Sequence, residues 1–204
     1  MPKKYIIMIT GYDRCGKDYI AQKLKEDLNA DVIHLADSLK NICCDILDIN
    51  RETLEVCKNK NGLIEIETSI PCYSNEVFPS THNVRNFIIK VATSIREHLG
   101  ENVFIDALKE NIFKSKKDVI IVPDVRFEIE YYSIKNMNNA NTVLIKIDSD
   151  LEECGKNGIK YEVDNLNPDI VFKNTKNERS FNINYGWLLK EIKNRIGFKN
   201  EDIV

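Results

Sequence analysis

The sequence predicts a three-layer α/β protein, in which helices cover both faces of a parallel sheet. Strand-like and helix-like segments alternate along the chain, which is the usual pattern of this fold class. The strand-like runs YIIMI and DVIIV are almost wholly apolar, as expected for strands that are buried on both faces. A turn with two glycines joins the first strand to the first helix, as in a strand–loop–helix unit of a parallel sheet.

The elements follow from hydrophobic periodicity and are taken in chain order. Strands are predicted at residues 5–10, 31–36, 118–122, 142–147 and 169–172. Helices are predicted at residues 18–28, 37–47, 84–99, 103–113, 127–138 and 181–196. The helix over 84–99 is predicted from a single apolar stripe that runs from Val84 to Leu99. Asp37 is expected to cap the second helix.

Two stretches interrupt this alternation. Residues 48–80 contain the turn-rich runs NKNG and SIPCYSN, so we expect an insertion there. Residues 148–168 are polar and contain glycine, and we expect a lid-like segment. A chain of 204 residues is long enough for one sizeable core. We therefore expect a single domain, 1–204, that carries both insertions.

Composition restricts the partners. Lysine and arginine number 29 against 32 acidic residues, so the net charge is 29 − 32 = −3 and leaves no surplus of cations to coat nucleic acid or an anionic membrane. The apolar runs fall far short of the ~20 residues that a membrane-spanning helix needs. The first residues lack a long apolar region and a cleavage site, and the six cysteines form no CxxC pair, so we expect a cytoplasmic protein with reduced thiols. The sequence leaves open whether the chain forms a homodimer.

The strongest motif is the run Gly11-Tyr-Asp-Arg-Cys-Gly-Lys17, which follows the first strand and opens the first helix. This GxxxxGK spacing is typical of a phosphate-binding loop, the P-loop. Gly11 and Gly16 allow the backbone to approach a phosphate, the helix N-terminus supplies a positive dipole, and Lys17 reaches the outer phosphates. The alternative is a glycine-rich turn that carries a solvated lysine.

The residue after Lys17 departs from the usual motif. A serine or threonine normally ligates Mg²⁺ at that position, and this chain has Asp18. The carboxylate could hold the magnesium shell through water or orient the attacking phosphate. It could equally serve as an anion at the N-terminus of the helix.

Several blocks resemble the bacteriophage-type deoxynucleoside monophosphate kinases, a branch of the adenylate-kinase-like P-loop family. The run RCGKD is similar to that family's RSGKDT, and LADSLK at residues 35–40 resembles its FADPLK. Val84-Arg-Asn-Phe and Thr93-Ser-Ile-Arg96 resemble its PREL…GT…GR helix, and PDVRFEIE at 123–130 resembles TDVRFPNE. The run DIVFKN at 169–174 is similar to the family's closing strand. The blocks occur in the family's order over most of the chain.

Spacing in this sequence agrees with a common site. Gly11, Asp37 and Asp124 each follow a predicted parallel strand, and open α/β sheets bind ligands at that edge. Arg85 and Arg96 lie eleven residues apart, so they return to nearly the same face of one helix, ~16 Å apart along its axis. The alternative is a pair of solvated arginines beside an apolar stripe.

The resemblance implies ATP and Mg²⁺ as cofactors and a nucleoside monophosphate as acceptor, with the diphosphate as product. On the donor side it assigns Lys17, Arg14 and the loop residues Gly11, Cys15 and Gly16 to ATP. Arg126 would contact phosphate. Asp124 would either fix that arginine or hold the magnesium shell, and Asp18 is the other candidate for the magnesium shell.

On the acceptor side the resemblance assigns the phosphate to Arg85 and Arg96. It places Glu130 near the sugar or base of the acceptor, with Asp37 and Lys40 as further candidates. A cap role for Asp37 and solvated positions for Lys40 and Glu130 are the alternatives. The three histidines, among them His34, are expected to be structural.

The carboxyl-terminal third departs from the family. Where the family has an arginine-bearing lid followed by HxSE, this chain has KIDSD at 146–150 and YEVD at 161–164. In the loop motif, Tyr19 stands where the family has a threonine. Lys156 and Lys160 could supply charge to the lid, but lysine lacks the forked geometry of arginine. Two alternatives stay open: an animal-type phosphomevalonate kinase, and a P-loop protein that binds nucleotide without turnover.

Overall fold

The computed structural model describes residues 3–59, 63–65, 81–150 and 162–197. The strands are β1 (Lys4–Thr10), β2 (Asp31–Val32), β3 (Leu63–Glu65), β4 (Thr81–Asn83), β5 (Val119–Val122), β6 (Ala140–Ser149) and β7 (Ile170–Asn174). The helices are α1 (Lys17–Asp27), α2 (Asp37–Leu47), α3 (Arg51–Asn59), α4 (Val84–Leu99), α5 (Val103–Lys114), α6 (Glu128–Lys135) and α7 (Glu178–Ile196). A short 3₁₀ helix covers Glu162–Asp164.

Five strands form one parallel sheet in the order β2-β5-β1-β6-β7. The central strand β1 pairs with β5, where Tyr5 lies opposite Val119, and with β6, where Lys4 lies opposite Ala140. Because every strand runs in the same direction, their carboxyl ends meet at one edge of the sheet. The predicted parallel sheet is confirmed.

Helices cover both faces of this sheet. Ile7 and Ile9 of β1 belong to a core cluster that also contains residues of α1 and α7. Ile6 and Met8 point to the opposite face, because successive side chains of a strand alternate, and they are fully buried as well. Helix α6 packs against β6. The three-layer α/β arrangement predicted from the sequence is therefore confirmed.

The contacts divide the described chain into two compact units. Unit 1 contains residues 3–35, 108–150 and 162–197, and it includes the five-stranded sheet. Unit 2 lies within residues 36–107, where α2, α3 and α4 pack together around a small apolar core that includes Cys43 and Leu54. Strands β3 and β4 pair antiparallel in unit 2. The single domain with insertions stays a prediction.

Several boundaries differ from the prediction, and three of them have a visible reason in the backbone. Strand β2 ends at Val32 rather than at residue 36, because the Leu35 N–H is bonded to a carboxylate oxygen of Asp124 instead of to a strand. Strand β6 continues to Ser149, which pairs with Asn174, so the first residues of the expected lid-like segment are strand. Helix α7 begins at Glu178, and its Asn177 cap accepts a hydrogen bond from a backbone N–H.

The expected insertion at 48–80 is described only in part. Residues 51–59 form α3 and residues 63–65 form β3, while 60–62 and 66–80 lie outside the described residues. Of the lid-like segment, 151–161 with Lys156 and Lys160 lies outside as well. Within the part of the chain that is described, no helix combines the length and apolarity needed to cross a bilayer.

Two neighbours on β7 test the packing of the sheet. Phe172 is 1% exposed and packs edge-on against Phe181, whereas Val171 is 54% exposed. We expect Phe172→Ala to lower the free energy of unfolding by about 3 to 5 kcal/mol, because it leaves a cavity in the core. Val171→Ala is the matched control and should change it by less than about 0.5 kcal/mol. Urea denaturation measures both, and equal losses would contradict this packing.

Candidate phosphate-binding site

The loop between β1 and α1, residues 11–16, is the candidate phosphate-binding loop, called the phosphate loop below, and it closes tightly on itself. Gly11 is buried with φ 147°, and a Cβ there would lie 2.8 Å from both Cys15 Sγ and the Ile147 carbonyl oxygen. Gly16 caps α1 with φ 93°, in the left-handed region that favours glycine. The two glycines of the predicted P-loop therefore stand where a side chain would force the loop open.

Asn174 at the carboxyl end of β7 holds this loop. Its Nδ2 donates a hydrogen bond of 2.9 Å to the Cys15 carbonyl oxygen, and the side chain is buried. A Cβ on Gly16 would come within 2.3 Å of the same Nδ2. Because a trans peptide places N–H and C=O on opposite sides, fixing the Cys15 carbonyl also fixes the direction of the Gly16 N–H. No role was predicted for Asn174, although it ends the run DIVFKN that resembles the family's closing strand.

Lys17 lies across the loop with its ammonium group enclosed. The residue is 8% exposed, and Nζ donates to the carbonyl oxygens of Gly11 at 2.9 Å and Tyr12 at 2.7 Å. The amide groups at the N-terminus of a helix lack intrahelical acceptors and carry positive dipole. A buried cation beside a helix N-terminus is a donor set that fits a phosphate.

Arg14 and Asp18 stand at the solvent side of the loop. Arg14 is exposed and adopts a left-handed backbone conformation with φ 61°. Asp18 is exposed in the first turn of α1, and the helix has no side-chain cap hydrogen bond. The described residues contain no group of three or more potential protein ligands for a metal. Mg²⁺ usually takes one or two carboxylates plus substrate phosphates and water, so the Asp18 carboxylate beside the loop fits that ion.

The segment after β5 lies against the loop. The Val125 N–H donates to the Ile9 carbonyl oxygen of β1 at 3.2 Å. The Arg126 guanidinium Nη2 lies 3.7 Å from Asp13 Oδ1, which belongs to the phosphate loop. The structure thus brings together two of the motifs that sequence analysis singled out, and Asp13 is a contact that it did not predict.

Asp124 ties the same segment to the end of β2. Its Oδ1 accepts a hydrogen bond of 3.2 Å from the Leu35 N–H, and its Oδ2 lies 3.8 Å from His34 Nδ1. Unit 1 therefore holds Asp124 between two strand ends. Its role towards Arg126 or magnesium stays a prediction.

Glu130 is buried under the Arg126 segment. Its Oε2 accepts hydrogen bonds from the backbone N–H groups of Arg126 at 2.7 Å and Phe127 at 3.1 Å. Burial raises the pKa of Glu130 to about 7, although the two hydrogen bonds lower it; the nearby charge of Asp124 adds to the rise. The expected contact of Glu130 with an acceptor sugar or base stays a prediction.

Asp37 and Lys40 belong to an ion-pair network within unit 2. The N-cap residue of α2 is Ala36, so the cap role expected for Asp37 is wrong. Instead Asp37 Oδ1 accepts from Arg51 Nη2 at 2.6 Å, and Lys40 Nζ contacts Glu55 Oε1 at 2.5 Å. Although burial alone raises the pKa of Glu55, hydrogen bonds from Lys40 and Lys58 bring it down to about 2. Sequence analysis missed Arg51 and Glu55 because both fall in the expected insertion.

Arg85 and Arg96 lie on one continuous helix, α4, as predicted. Arg85 is exposed near its start. Arg96 is half-buried near its end, with its guanidinium carbon 5.2 Å from the centre of the Phe104 ring. This cation–π contact orients the guanidinium group. Acceptor binding by the two arginines stays a prediction.

A second polar cluster lies beside the loop in unit 1. Asp164 accepts hydrogen bonds from Lys146 Nζ at 2.8 Å and from the Tyr12 hydroxyl. The hydrogen bond from Lys146, followed by that from Tyr12, lowers the pKa of Asp164. These residues line a cavity of about 520 Å³ together with Asp148 and Leu166. Asp164 is therefore joined to the phosphate loop through Tyr12.

Comparisons with known proteins extend this description. No protein-family model matches the sequence, and no curated protein matches it. Solved structures do match. TT1252 from Thermus thermophilus is 12% identical with a TM-score of 0.48, and the match covers 94% of this chain and 98% of that one.

Two further matches are kinases of small molecules. Dephospho-CoA kinase from Campylobacter jejuni is 14% identical with a TM-score of 0.44, and the match covers 95% of this chain and 98% of that chain. Shikimate kinase from Bacteroides thetaiotaomicron is 9% identical with a TM-score of 0.40, over 93% of this chain and 98% of that chain. At TM-scores below 0.5 these likenesses do not indicate what this chain binds.

Gly16 and Gly100 form a matched pair for testing the loop. Both have positive φ, 93° and 96°, but only a Cβ on Gly16 meets a neighbour, Asn174. We expect Gly16→Ala to weaken ATP binding by roughly tenfold or more, because the added Cβ pushes against Asn174. It should also destabilise the chain more than Gly100→Ala, which adds only a backbone strain of about 1 to 2 kcal/mol. Isothermal titration with ATP and urea denaturation measure the difference. Identical behaviour of the variants would contradict the described loop.

The buried carboxyl of Glu130 predicts a pH-dependent stability. Its pKa rises from 4.5 to about 7 on folding, so the folded chain binds more protons between these values and loses stability as the pH rises through 7. We expect the free energy of unfolding, relative to Glu130→Gln, to fall by at most about 1.4 kcal/mol per pH unit in this window. Glu110→Gln, at an exposed site, is the control. A difference that is flat with pH would disprove the burial effect.

Proposed function

We propose that this chain is an ATP-dependent kinase that phosphorylates nucleoside or deoxynucleoside monophosphates to diphosphates. The observation that best supports it is the position of Arg126, whose guanidinium lies 3.7 Å from Asp13 in the loop that also encloses Lys17. Phosphoryl transfer needs cations on both the bound phosphates and the group that moves. A loop that only bound phosphate would need no second arginine from another strand end.

On the donor side, the loop amides and Lys17 bind the β- and γ-phosphates of ATP. The ammonium group of Lys17 now donates to two loop carbonyl oxygens, and phosphate oxygens are stronger acceptors for the same protons. Arg14 lies at the exposed side of the loop, where it can neutralise the remaining phosphate charge. Asn174 keeps the loop in the shape that this binding requires.

In the transfer step an oxygen of the acceptor phosphate forms a bond to the γ-phosphorus, and the bond from that phosphorus to the β–γ bridging oxygen breaks. ADP leaves with the electron pair of the broken bond. Arg126 stabilises the negative charge on the moving group, which is the main catalytic contribution available in such reactions. Asp18 would hold Mg²⁺ together with the phosphates, and the ion would supply further neutralisation of charge.

On the acceptor side we assign the monophosphate to Arg85 and Arg96, following the family resemblance. A guanidinium group binds a phosphate through two parallel hydrogen bonds, which suits an acceptor that must be held in one orientation. Asp37 and Lys40 are already fixed by Arg51 and Glu55, so we assign them no direct contact with the acceptor and infer that they hold α2 and α3 together through this network.

An assay of ADP release over a panel of acceptors tests the proposal. The panel contains the common nucleoside and deoxynucleoside monophosphates together with mevalonate phosphate. Turnover with one or more nucleotides supports the proposal, whereas turnover with mevalonate phosphate alone would identify the alternative small-molecule kinase. ATP binding without turnover on any acceptor would instead support a nucleotide-binding protein that has lost the chemistry.

Lys17 provides a sharp test of the donor site. We expect Lys17→Ala to lower kcat by roughly 10³-fold or more, because the buried ammonium is the main cation on the transferring phosphates. Lys25→Ala, at an exposed position of the same helix, is the matched control and should leave kcat within about twofold. Steady-state kinetics measure both variants. Wild-type turnover in Lys17→Ala would place the donor phosphates elsewhere.

A further inference from the structure

We propose that Glu130 is a positioning residue, whose buried carboxylate fixes the backbone of Arg126 and so presents that guanidinium to the phosphate loop. The proposal rests on the proposed function for the meaning of Arg126. It differs from the role that the family resemblance implies for Glu130, which is contact with the acceptor sugar or base.

The hydrogen bonds of Glu130 are the first argument. One oxygen, Oε2, accepts from two consecutive backbone N–H groups, those of Arg126 and Phe127. These are the last residue before the N-cap of α6 and the N-cap itself, so the carboxylate reaches back from the third helical residue to the entry of the helix. The chain direction at Arg126 is therefore set by Glu130.

The anchor is rigid, which is the second argument. Tyr131 and Ile134 of helix α6 are buried, at 3% and 0% exposure, and the helix packs against β6. On the other side of Arg126, the Val125 N–H is bonded to the Ile9 carbonyl oxygen of β1. The backbone at Arg126 is thus held between the central strand and a buried helix, and only its side chain extends to Asp13.

The burial of Glu130 is the third argument. The residue is 9% exposed, which leaves little of its carboxyl group for a nucleotide to touch. The charged groups around it are Asp124 and Arg126, both in the segment that it holds. Because both hydrogen bonds end on one oxygen, the amide oxygen of a glutamine can accept both of them in the same geometry, although without the negative charge. The side chain of alanine has no acceptor atom, so Glu130→Ala leaves the two backbone N–H groups without that acceptor.

A double-mutant cycle tests the proposal. The variants are Glu130→Ala, Glu130→Gln, Arg126→Ala and the double alanine variant, and the measurements are kcat, KM for the acceptor and Kd for ATP. Glu178→Ala, which removes an exposed carboxylate from the first turn of α7, is the matched control. Amide hydrogen exchange at Arg126 and Phe127, followed by NMR, reports the backbone directly and needs no substrate.

If Glu130 acts through Arg126, Glu130→Ala lowers kcat roughly 10- to 100-fold with KM for the acceptor within about twofold, and Glu130→Gln recovers most of the loss. In the Arg126→Ala background the Glu130→Ala change then costs less than about twofold. Exchange at the two amides is faster in Glu130→Ala and close to wild type in Glu130→Gln. A rise in KM alone, additive losses in kcat, or unchanged exchange would each overturn the proposal.

Failure of the proposed function is distinguishable from failure of this inference. If the wild-type chain transfers phosphate to no acceptor, the proposed function fails, and the same cycle is then evaluated on Kd for ATP. Non-additive losses of ATP affinity at Arg126 and Glu130 support positioning. Additive losses, or equal affinity in all four proteins, overturn it.

Discussion

The central position of β1 in the parallel sheet is the constraint on which the site depends. Two neighbours, β5 and β6, fix this strand on both sides, so its carboxyl end can continue only into the loop at the edge of the sheet. The same edge carries Asn174 at the end of β7 and the Arg126 segment after β5. Groups that are far apart in sequence therefore meet at one place because the strands run in one direction.

Two cations at the loop, Lys17 and Arg126, each have a partner within unit 1. Lys17 is held by carbonyl oxygens, and Arg126 lies beside Asp13. A buried ammonium group without acceptors would be costly, so these contacts stabilise the loop. If the proposed function holds, phosphate oxygens would take the place of these acceptors, and two cations already held at the loop would be preorganised for the reaction.

Much of the fold was predictable because it depends on local signals. The end of helix α2 was predicted at Leu47, where the structure has it, and α4 followed from its apolar stripe. The errors concern strand and helix ends, where long-range contacts decide. Strand β2 stops early because a carboxylate of Asp124 takes the Leu35 N–H, a contact between residues 89 positions apart. No window of sequence contains both partners, so periodicity extends the strand too far.

The sequence alone determined the strand–loop–helix unit that carries Gly11, Gly16 and Lys17, since the tight turn leaves no room for a side chain at either glycine. Phosphate binding there stays a prediction. The sequence did not reveal Asp13 as the partner of Arg126, Asn174 as the residue that holds the Cys15 carbonyl, or the backbone as the partner of the Glu130 carboxylate. Contacts such as that from Asn174 to the loop join distant segments, and only the register and order of the strands bring those segments within hydrogen-bonding distance.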